Sequence, residues 1–326
     1  MTHTIIPYVV DYPEAQETYK FLQDELNLPP AQTLKGIGVR PDAKSVQAHT
    51  IDVQPFLFLN GSGKFHHDTA PVVEGFVANR PDDIIYYVQI DAHPDKEEIF
   101  RWKLDCANFV GRLMQQNSIR RFFLLGTWPP CLDVEDIKTN VTKHIRYYRR
   151  RFFKVFRQYV IAPSDVSETF FGIDDDDLSE AQTNPSVATA EMKRVTLEGP
   201  GIDDDGLVVT WKTLDDFNFK ELKRPVYLSI DLDVLQTDLI TDWRVRHGEG
   251  DLMGEGYGDN HGRMPLKQLL HLIRSIGETT PVLAGDICGI TADLDHLTPK
   301  AKQQSLNTVK EVYAAMLDVI QTSQNL

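Results

Sequence analysis

Residues 84–95 have the sequence IIYYVQIDAHPD, and this stretch determines both the fold class and the position of the candidate site. Its first seven residues are mainly β-branched and aromatic, which is typical of a strand buried on both faces. The strand leads directly into Asp91, His93 and Asp95. Because side chains at i, i+2 and i+4 of an extended chain point to one side, these three polar groups are expected to converge.

A second apolar stretch, PVYLSIDLDVL at residues 225–235, leads in the same way into Asp231 and Asp233. Ligands of open α/β sheets bind at the carboxyl ends of the strands, so the two acidic strand ends are expected to meet. Upstream, PFLFLNGSGKFHH places His66 and His67 in a loop after a third apolar stretch. That loop can deliver a further ligand to the same edge of the sheet.

Further along the chain, short apolar stretches alternate with segments of helical periodicity. We predict strands at 55–60, 84–90, 121–127, 225–232 and 281–287. We predict helices near 13–26, 97–116, 134–160, 265–276 and 298–321. The alternation indicates an α/β fold with three layers, in which helices cover both faces of a parallel sheet.

The whole chain, residues 1–326, is predicted to be one domain. Residues 164–224 break the alternation with acidic, Gly-containing and Ser/Thr-containing sequence, so we interpret them as an insertion or surface excursion. Residues 237–262 are rich in Gly and charge and follow an acidic strand end. Loops in this position usually shape the site, and we expect this one to line the substrate pocket.

Charge, apolar runs and cysteine spacing exclude several classes of protein. A formal net charge of -14 argues against nucleic-acid binding and favours cationic ligands. The amino-terminal sequence lacks a secretory pattern, and no apolar run is long enough to cross a membrane. The three cysteines, Cys106, Cys131 and Cys288, are widely spaced and indicate neither a disulfide framework nor a CxxC zinc site. We therefore expect a cytoplasmic protein without a membrane partner.

The ordered set of polar residues resembles the arginase/deacetylase superfamily. Its ureohydrolases carry a His in a Gly-rich loop, then Asp-x-His-x-Asp and Asp-x-Asp strand ends. The resemblance implies an arginase-like fold and six metal ligands, which would be His67, Asp91, His93, Asp95, Asp231 and Asp233. His66 is the alternative to His67. Asp91 and Asp231 would bridge two ions.

The mixture of ligand types has a physical reason. Carboxylates can bridge two cations and offset their charge, and neutral imidazole suits Mn, Fe, Co, Ni or Zn better than Ca or Mg. We expect two Mn2+ ions per chain. Two ions ~4 Å apart can share a water molecule and lower its pKa from about 15.7 toward ~7. This arrangement would support hydrolysis without a protein nucleophile.

The chain departs from the family pattern outside these ligands. Asp95 is followed by Lys96, Glu97 and Glu98, where arginases of free arginine have residues that hold the amino-acid head group. Gly289 stands where the resemblance predicts the Glu that holds a guanidinium. The DAHPD sequence with Pro94, and the CANF sequence at 106–109, resemble an arginase-like branch that includes peptide arginases, which convert arginine side chains of peptides into ornithine and urea.

A further departure concerns proton transfer and substrate binding. The sequence LDCANFVG offers Asn108 where family members often place a catalytic His, so Asn108 is a catalytic candidate. Asp286 is a second candidate, and either it or one of Glu249, Asp251 and Glu255 would contact the guanidinium. We expect a substrate peptide that contains arginine, and the sequence is compatible with a homo-oligomer.

Two alternative functions remain at this stage. A metal-dependent deacetylase or amidase of the same fold would release acetate or ammonia instead of urea. A binding protein that retained the fold and the metals but lost catalysis would bind partners without turnover. The identity of the reaction products distinguishes the three functions.

Overall fold

The computed structural model describes residues 4–93, 95, 103–127, 155–160, 208–213, 217–235, 239–240, 262, 264–291 and 294–324. Its strands are β1 Ile6–Val10, β2 Gln32–Leu34, β3 Phe56–Leu59, β4 Ile85–Ile90, β5 Ile119–Thr127, β6 Val155–Val160, β7 Val208–Thr213, β8 Val226–Asp231 and β9 Val282–Cys288. They form one sheet in the order β2-β1-β3-β9-β8-β4-β5-β6-β7, and every described pairing is parallel.

The described α-helices are α1 Pro13–Leu26, α2 Thr69–Ala78, α3 Phe109–Leu113, α4 Leu266–Thr279 and α5 Pro299–Ser323. Short 3-10 helices at Gly63–Asp68 and Leu232–Val234 follow β3 and β8. None of the helices in the described ranges is long and apolar enough to cross a membrane.

Helices lie on both faces of the sheet. On one face Phe76 of α2 packs against Phe56 of β3, with 5.6 Å between ring centroids. On the other face a Cβ added to Gly285 of β9 would lie 2.5 Å from the side chain of Met316 in α5. β3, β4 and β8 are buried along their whole length. The predicted three-layer α/β fold with a parallel sheet is therefore confirmed.

Most of the central elements lie where the sequence predicts them. Two of the helix predictions need correction. The predicted helix at 134–160 is wrong for residues 155–160, which form β6 between β5 and β7. Spacing of apolar residues in a short segment does not distinguish helix from strand, and pairing with two neighbours decides here. Of the predicted helix at 97–116, the structure describes only α3 as α-helix. Residues 96–102 and 134–154 lie outside the described residues.

The stretch predicted as an excursion, residues 164–224, contains one strand of the sheet. β7 pairs with β6 in register from Val155 opposite Val208 to Val160 opposite Thr213. Most of the rest of this stretch, and of the predicted pocket loop at 237–262, lies outside the described residues. The single domain with an excursion stays a prediction.

Candidate metal centre

The candidate site lies at the carboxyl edge of β3, β9, β8 and β4, which are consecutive neighbours in the sheet. Two similar turns shape it. After β4 the backbone N–H of His93 donates to Asp91 Oδ1 at 2.6 Å, and after β8 the N–H of Asp233 donates to Asp231 Oδ1 at 3.1 Å. Asp side chains commonly bond the backbone two residues ahead, so each Asp-x-His or Asp-x-Asp sequence folds into a local turn.

The first cluster surrounds His66. Its Nδ1 lies 2.9 Å from Asp95 Oδ2, 3.1 Å from Asp231 Oδ2 and 3.3 Å from Asp91 Oδ2. His66 is fully buried, and the three carboxylates are almost so. His66, Asp91 and Asp95 are close enough together to hold one metal ion.

The second cluster shares a residue with the first. His93 Nδ1 lies 2.9 Å from Asp233 Oδ2 and 3.7 Å from Asp91 Oδ1. Asp91 therefore presents Oδ2 to the first cluster and Oδ1 to the second, as a carboxylate that bridges two cations would. The His93 side chain is 16% exposed, more than the 1% of His66, so the second cluster is nearer to solvent.

Five of the six ligands predicted with the resemblance converge here, and His67 does not. The Nε2 of His67 lies 2.8 Å from the carbonyl oxygen of Gly38, in a loop outside the two clusters. His66 takes its place, because within the 3-10 helix only the ring of His66 projects between the carboxylates. The structure thus places His66, the alternative that the sequence left open, among the carboxylates, and places His67 outside them.

The hydrogen bonds behind His66 test whether the cluster fits a cation. Ser229 Oγ donates to Asp286 Oδ1 at 2.9 Å, and a hydroxyl has one proton to donate. In the neutral imidazole, which is the form that binds a metal, Ser229 Oγ therefore accepts from Nε2–H of His66, 3.1 Å away, and the lone pair is on Nδ1. Nδ1 makes no hydrogen bond with any described residue although three carboxylate oxygens surround it. The lone pair on Nδ1 and the carboxylate oxygens repel one another unless a cation lies between them.

The electrostatics of the cluster lead to the same requirement for positive charge. Burial opposes protonation of His66, but Cys288 and the carboxylates of Asp231, Asp91 and Asp95 outweigh it and raise the pKa of His66 well above its usual range. Burial, followed by repulsion from Asp91, raises the pKa of Asp95 well above its usual range. Without a metal, protons offset the charge of this cluster, and a cation would displace them.

Asp231 shows the same effect at a second position. Burial first, and the charge of Asp233 second, raise the pKa of Asp231 to about 6. An ionised Asp231 is thus unfavourable in the metal-free cluster, and a bound cation would reverse this by pairing with it. The donor set of imidazole and carboxylate fits a transition metal such as Mn better than Ca or Mg.

A row of polar side chains lies directly beneath the two clusters. Gln89, Ser229 and Asp286 are in register on β4, β8 and β9, and all three are fully buried. Gln89 and Ser229 stand two residues before Asp91 and Asp231, and Asp286 stands two residues before Cys288. Gln89 and Ser229 were not predicted as site residues. The signal available in the sequence was the repeated pattern QID at 89–91 and SID at 229–231. In each, the polar first residue and the Asp two residues later lie on the same face of the strand, because alternate residues share a face.

Asp286 and Asn108, the further catalytic candidates, do not join the clusters. Asp286 is fully buried, and its Oδ1 accepts hydrogen bonds from Thr69 and Ser229. Asp286 therefore lies behind His66, and its contact with a guanidinium stays a prediction. Asn108 uses its amide within its own loop, where Oδ1 accepts from the N–H of Asp105 and Nδ2 donates to the Lys103 carbonyl.

The structure also explains the glycine that replaces the expected Glu. Gly289 has φ +77, in the left-handed region that favours glycine. A Cβ at this position would lie 2.1 Å from Asp231 Oδ1 and 2.8 Å from the backbone nitrogen of Leu232. The backbone thus approaches the edge of the sheet that carries the two clusters too closely for a side chain. Glu249, Asp251 and Glu255, the other candidates for the guanidinium contact, lie outside the described residues.

Comparison with known proteins gives structural similarity alone. No family model matches the chain, and no curated protein matches it. Among solved structures, it is similar to a putative agmatinase from Clostridium difficile, with 13% identity over 97% of this chain and 98% of the other, at a TM-score of 0.47. It is also similar to proclavaminate amidino hydrolase from Streptomyces clavuligerus, with 14% identity over 98% and 93% of the two chains, at a TM-score of 0.46.

A third similar structure is a variant of formiminoglutamase from Trypanosoma cruzi with Mn2+. Its identity to this chain is 11%, it covers 96% of this chain and 93% of its own, and the TM-score is 0.49.

Proposed function

We propose that this chain is a binuclear metal hydrolase of a C–N bond that converts arginine within a peptide to ornithine and releases urea. The observation that carries the proposal is the pair of histidine and carboxylate clusters that share Asp91. We propose two Mn2+ ions per chain. One would be held by His66, Asp91, Asp95 and Asp231, and the other by Asp91, His93, Asp231 and Asp233.

When bound, a pair of divalent cations supplies Lewis-acid chemistry, which lowers the pKa of a water molecule and polarises the bond to be cleaved. The chain's own residues prepare the site for this chemistry. Asp91 directs one oxygen to each cluster, and Ser229 holds His66 in the tautomer whose Nδ1 can coordinate. Burial of the first cluster excludes bulk solvent and strengthens each electrostatic interaction. The more exposed His93 marks the side from which substrate and water would enter.

The sequence supports a peptide over free arginine. The acidic and basic residues after Asp95 do not match the residues with which arginases hold the amino-acid head group. Free arginine would bring an ammonium and a carboxylate to a site whose sequence after Asp95 lacks the residues with which arginases pair them, and unpaired buried charge is costly. A peptide has neutral amides at those positions. It also offers contacts away from the guanidinium, whose binding energy can orient the reacting group.

The net charge of -14 also suits an arginine-bearing peptide. Gly289, however, favours a second candidate function. Because no side chain fits beside Asp231 at this position, the chain has no Glu there to hold a guanidinium. A metal-dependent amidase or deacetylase does not need that Glu, and it would release ammonia or acetate.

The deciding experiment compares kcat/KM of Mn-loaded protein for a short arginine peptide and for free arginine. Mass spectrometry of the peptide should show loss of the mass of cyanamide, and urea should appear in equal amount. The Asp233→Asn variant serves as the control, because it should stay folded by circular dichroism and lose turnover. Equal values, or a preference for free arginine, would contradict the peptide substrate. Release of acetate or ammonia from acylated or amide substrates would support the second candidate.

A further inference from the structure

The hydrogen bonds of Gln89 have no assigned role in the proposed reaction. It is fully buried on β4, and its Nε2 lies 2.6 Å from Asp91 Oδ2 and 3.1 Å from Asp95 Oδ2. Tyr87 donates its hydroxyl proton to Gln89 Oε1 at 3.1 Å. Because the Tyr87 hydroxyl donates to the amide oxygen, the NH2 group faces the two carboxylates and donates to both. Both amide hydrogens and the amide oxygen are therefore engaged.

The two oxygens that Gln89 holds belong to one cluster. Asp91 Oδ2 and Asp95 Oδ2 are the same atoms that lie 3.3 Å and 2.9 Å from His66 Nδ1. The other oxygen of Asp91, which faces His93, accepts instead from a backbone N–H. The amide therefore acts on the buried, His66 side of the centre.

We propose that Gln89 is a positioning residue that holds the Asp91 and Asp95 carboxylates in place for the cation on the His66 side. This inference rests on the metal centre of the proposed function. Two carboxylate oxygens that face one ring repel each other in the metal-free protein, and a donor between them keeps both at ligand distance. Partners behind metal ligands orient those ligands in this way.

The chemistry of an amide suits this position. Lys or Arg would also donate, but a fixed positive charge would pair with the carboxylates and compete with the cation. Gln89 donates without adding charge, so the cluster keeps its need for a metal. Tyr87, which is also fully buried, holds the amide by its oxygen.

The test is the affinity for Mn2+ alone, measured by equilibrium dialysis with metal analysis. Gln89→Met removes the amide and keeps an unbranched side chain of similar length. The substitution is combined with each of two background substitutions. Asp233→Asn removes a ligand of the His93 side and keeps the His66 side intact, whereas Asp95→Asn removes a ligand of the His66 side and keeps the His93 side intact. We expect Gln89→Met to weaken Mn2+ binding by about 10- to 100-fold in the Asp233→Asn background and much less in the Asp95→Asn background. Equal losses in both backgrounds, or no loss in either, would overturn the proposal.

Two further variants control for general destabilisation. Thr280→Val removes a buried hydrogen bond to the Arg224 carbonyl at the opposite edge of the sheet, and it should leave Mn2+ binding unchanged. If Thr280→Val weakens Mn2+ binding as much as Gln89→Met, the positioning role is refuted. Should Gln89→Met not fold, Tyr87→Phe removes the hydroxyl that holds the amide oxygen and that also contacts Ser229, and it should still weaken the His66 side selectively.

The same measurements separate this inference from the proposed function. A parent protein that binds no Mn2+ contradicts both. A parent protein that binds two ions, together with a Gln89→Met variant that binds both equally well, contradicts the role of Gln89 alone.

Discussion

Replacing Gly289 with Ala tests how closely the backbone must approach the metal-binding edge. Gly289 and Gly38 have almost the same positive φ, +77 and +76. Their surroundings differ. A Cβ on Gly289 would overlap Asp231 Oδ1 and crowd the Leu232 nitrogen, whereas nothing lies within 4 Å of a Cβ on Gly38. Gly38→Ala is therefore the matched control, because it carries the conformational cost without the overlap.

The expected magnitudes follow from these two contributions. A non-glycine residue in the left-handed region costs about 1–2 kcal/mol, and both variants should lose this much free energy of unfolding. Overpacking typically costs about 1–3 kcal/mol more, and only Gly289→Ala should show it. The overlap of the new Cβ with Asp231 Oδ1, only 2.1 Å away, also forces that carboxylate to move. Since Asp231 is a proposed ligand of both ions, Mn2+ affinity should fall in Gly289→Ala and stay unchanged in Gly38→Ala.

Urea denaturation monitored by circular dichroism gives the stability of the two metal-free variants, and equilibrium dialysis gives their Mn2+ affinity. If both variants unfolded at the same urea midpoint and bound Mn2+ as tightly as the parent, the close approach of Gly289 to Asp231 would be refuted. A Gly289→Ala protein that is destabilised but binds Mn2+ normally would show that Asp231 is not held at the distance described here.

Two other predictions concern the same centre. His66→Ala should remove one Mn2+ ion per chain while His67→Ala retains both, and metal analysis after dialysis checks this; the reverse result would restore His67 as the ligand. Since burial and Asp233 raise the pKa of Asp231 to about 6, Mn2+ affinity should fall more steeply as the pH drops below about 6, because the ion must then displace a proton from Asp231 in addition to those on His66 and Asp95. Titration calorimetry in buffers of different ionisation enthalpy should show proton release on binding near pH 6, and its absence would contradict a protonated carboxylate.

Much of this architecture can be predicted from the sequence because the central strands are continuous apolar runs. The strands near 84–90 and 225–232 were located within a residue or two, and their acidic ends indicated where five cluster residues lie. Those ends could be interpreted because local turn chemistry, an Asp that bonds the backbone two residues ahead, is encoded in the sequence itself.

Other features depend on long-range packing and could not be predicted. α2, Thr69–Ala78, is buried almost all round, and a continuous apolar run does not distinguish a helix from a strand. Neighbouring histidines in a 3-10 helix point in different directions, and only the position of the Gly38 loop shows that His67 faces away. The short edge strand β2 carries no apolar pattern and is defined by its pairing with β1.

The strand order has a consequence for how the chain acquires its site during synthesis. β8 and β9 lie between β3 and β4 in the sheet but follow both in the chain. Until residues 226–288 have left the ribosome, β3 and β4 each present an unpaired edge, and His66 and Asp91 belong to separate half-sheets. Exposed edges invite pairing with other chains, and long-range parallel pairing is slow. We therefore expect metal to be loaded late in folding, and the yield of folded protein to depend on how quickly the last two strands insert.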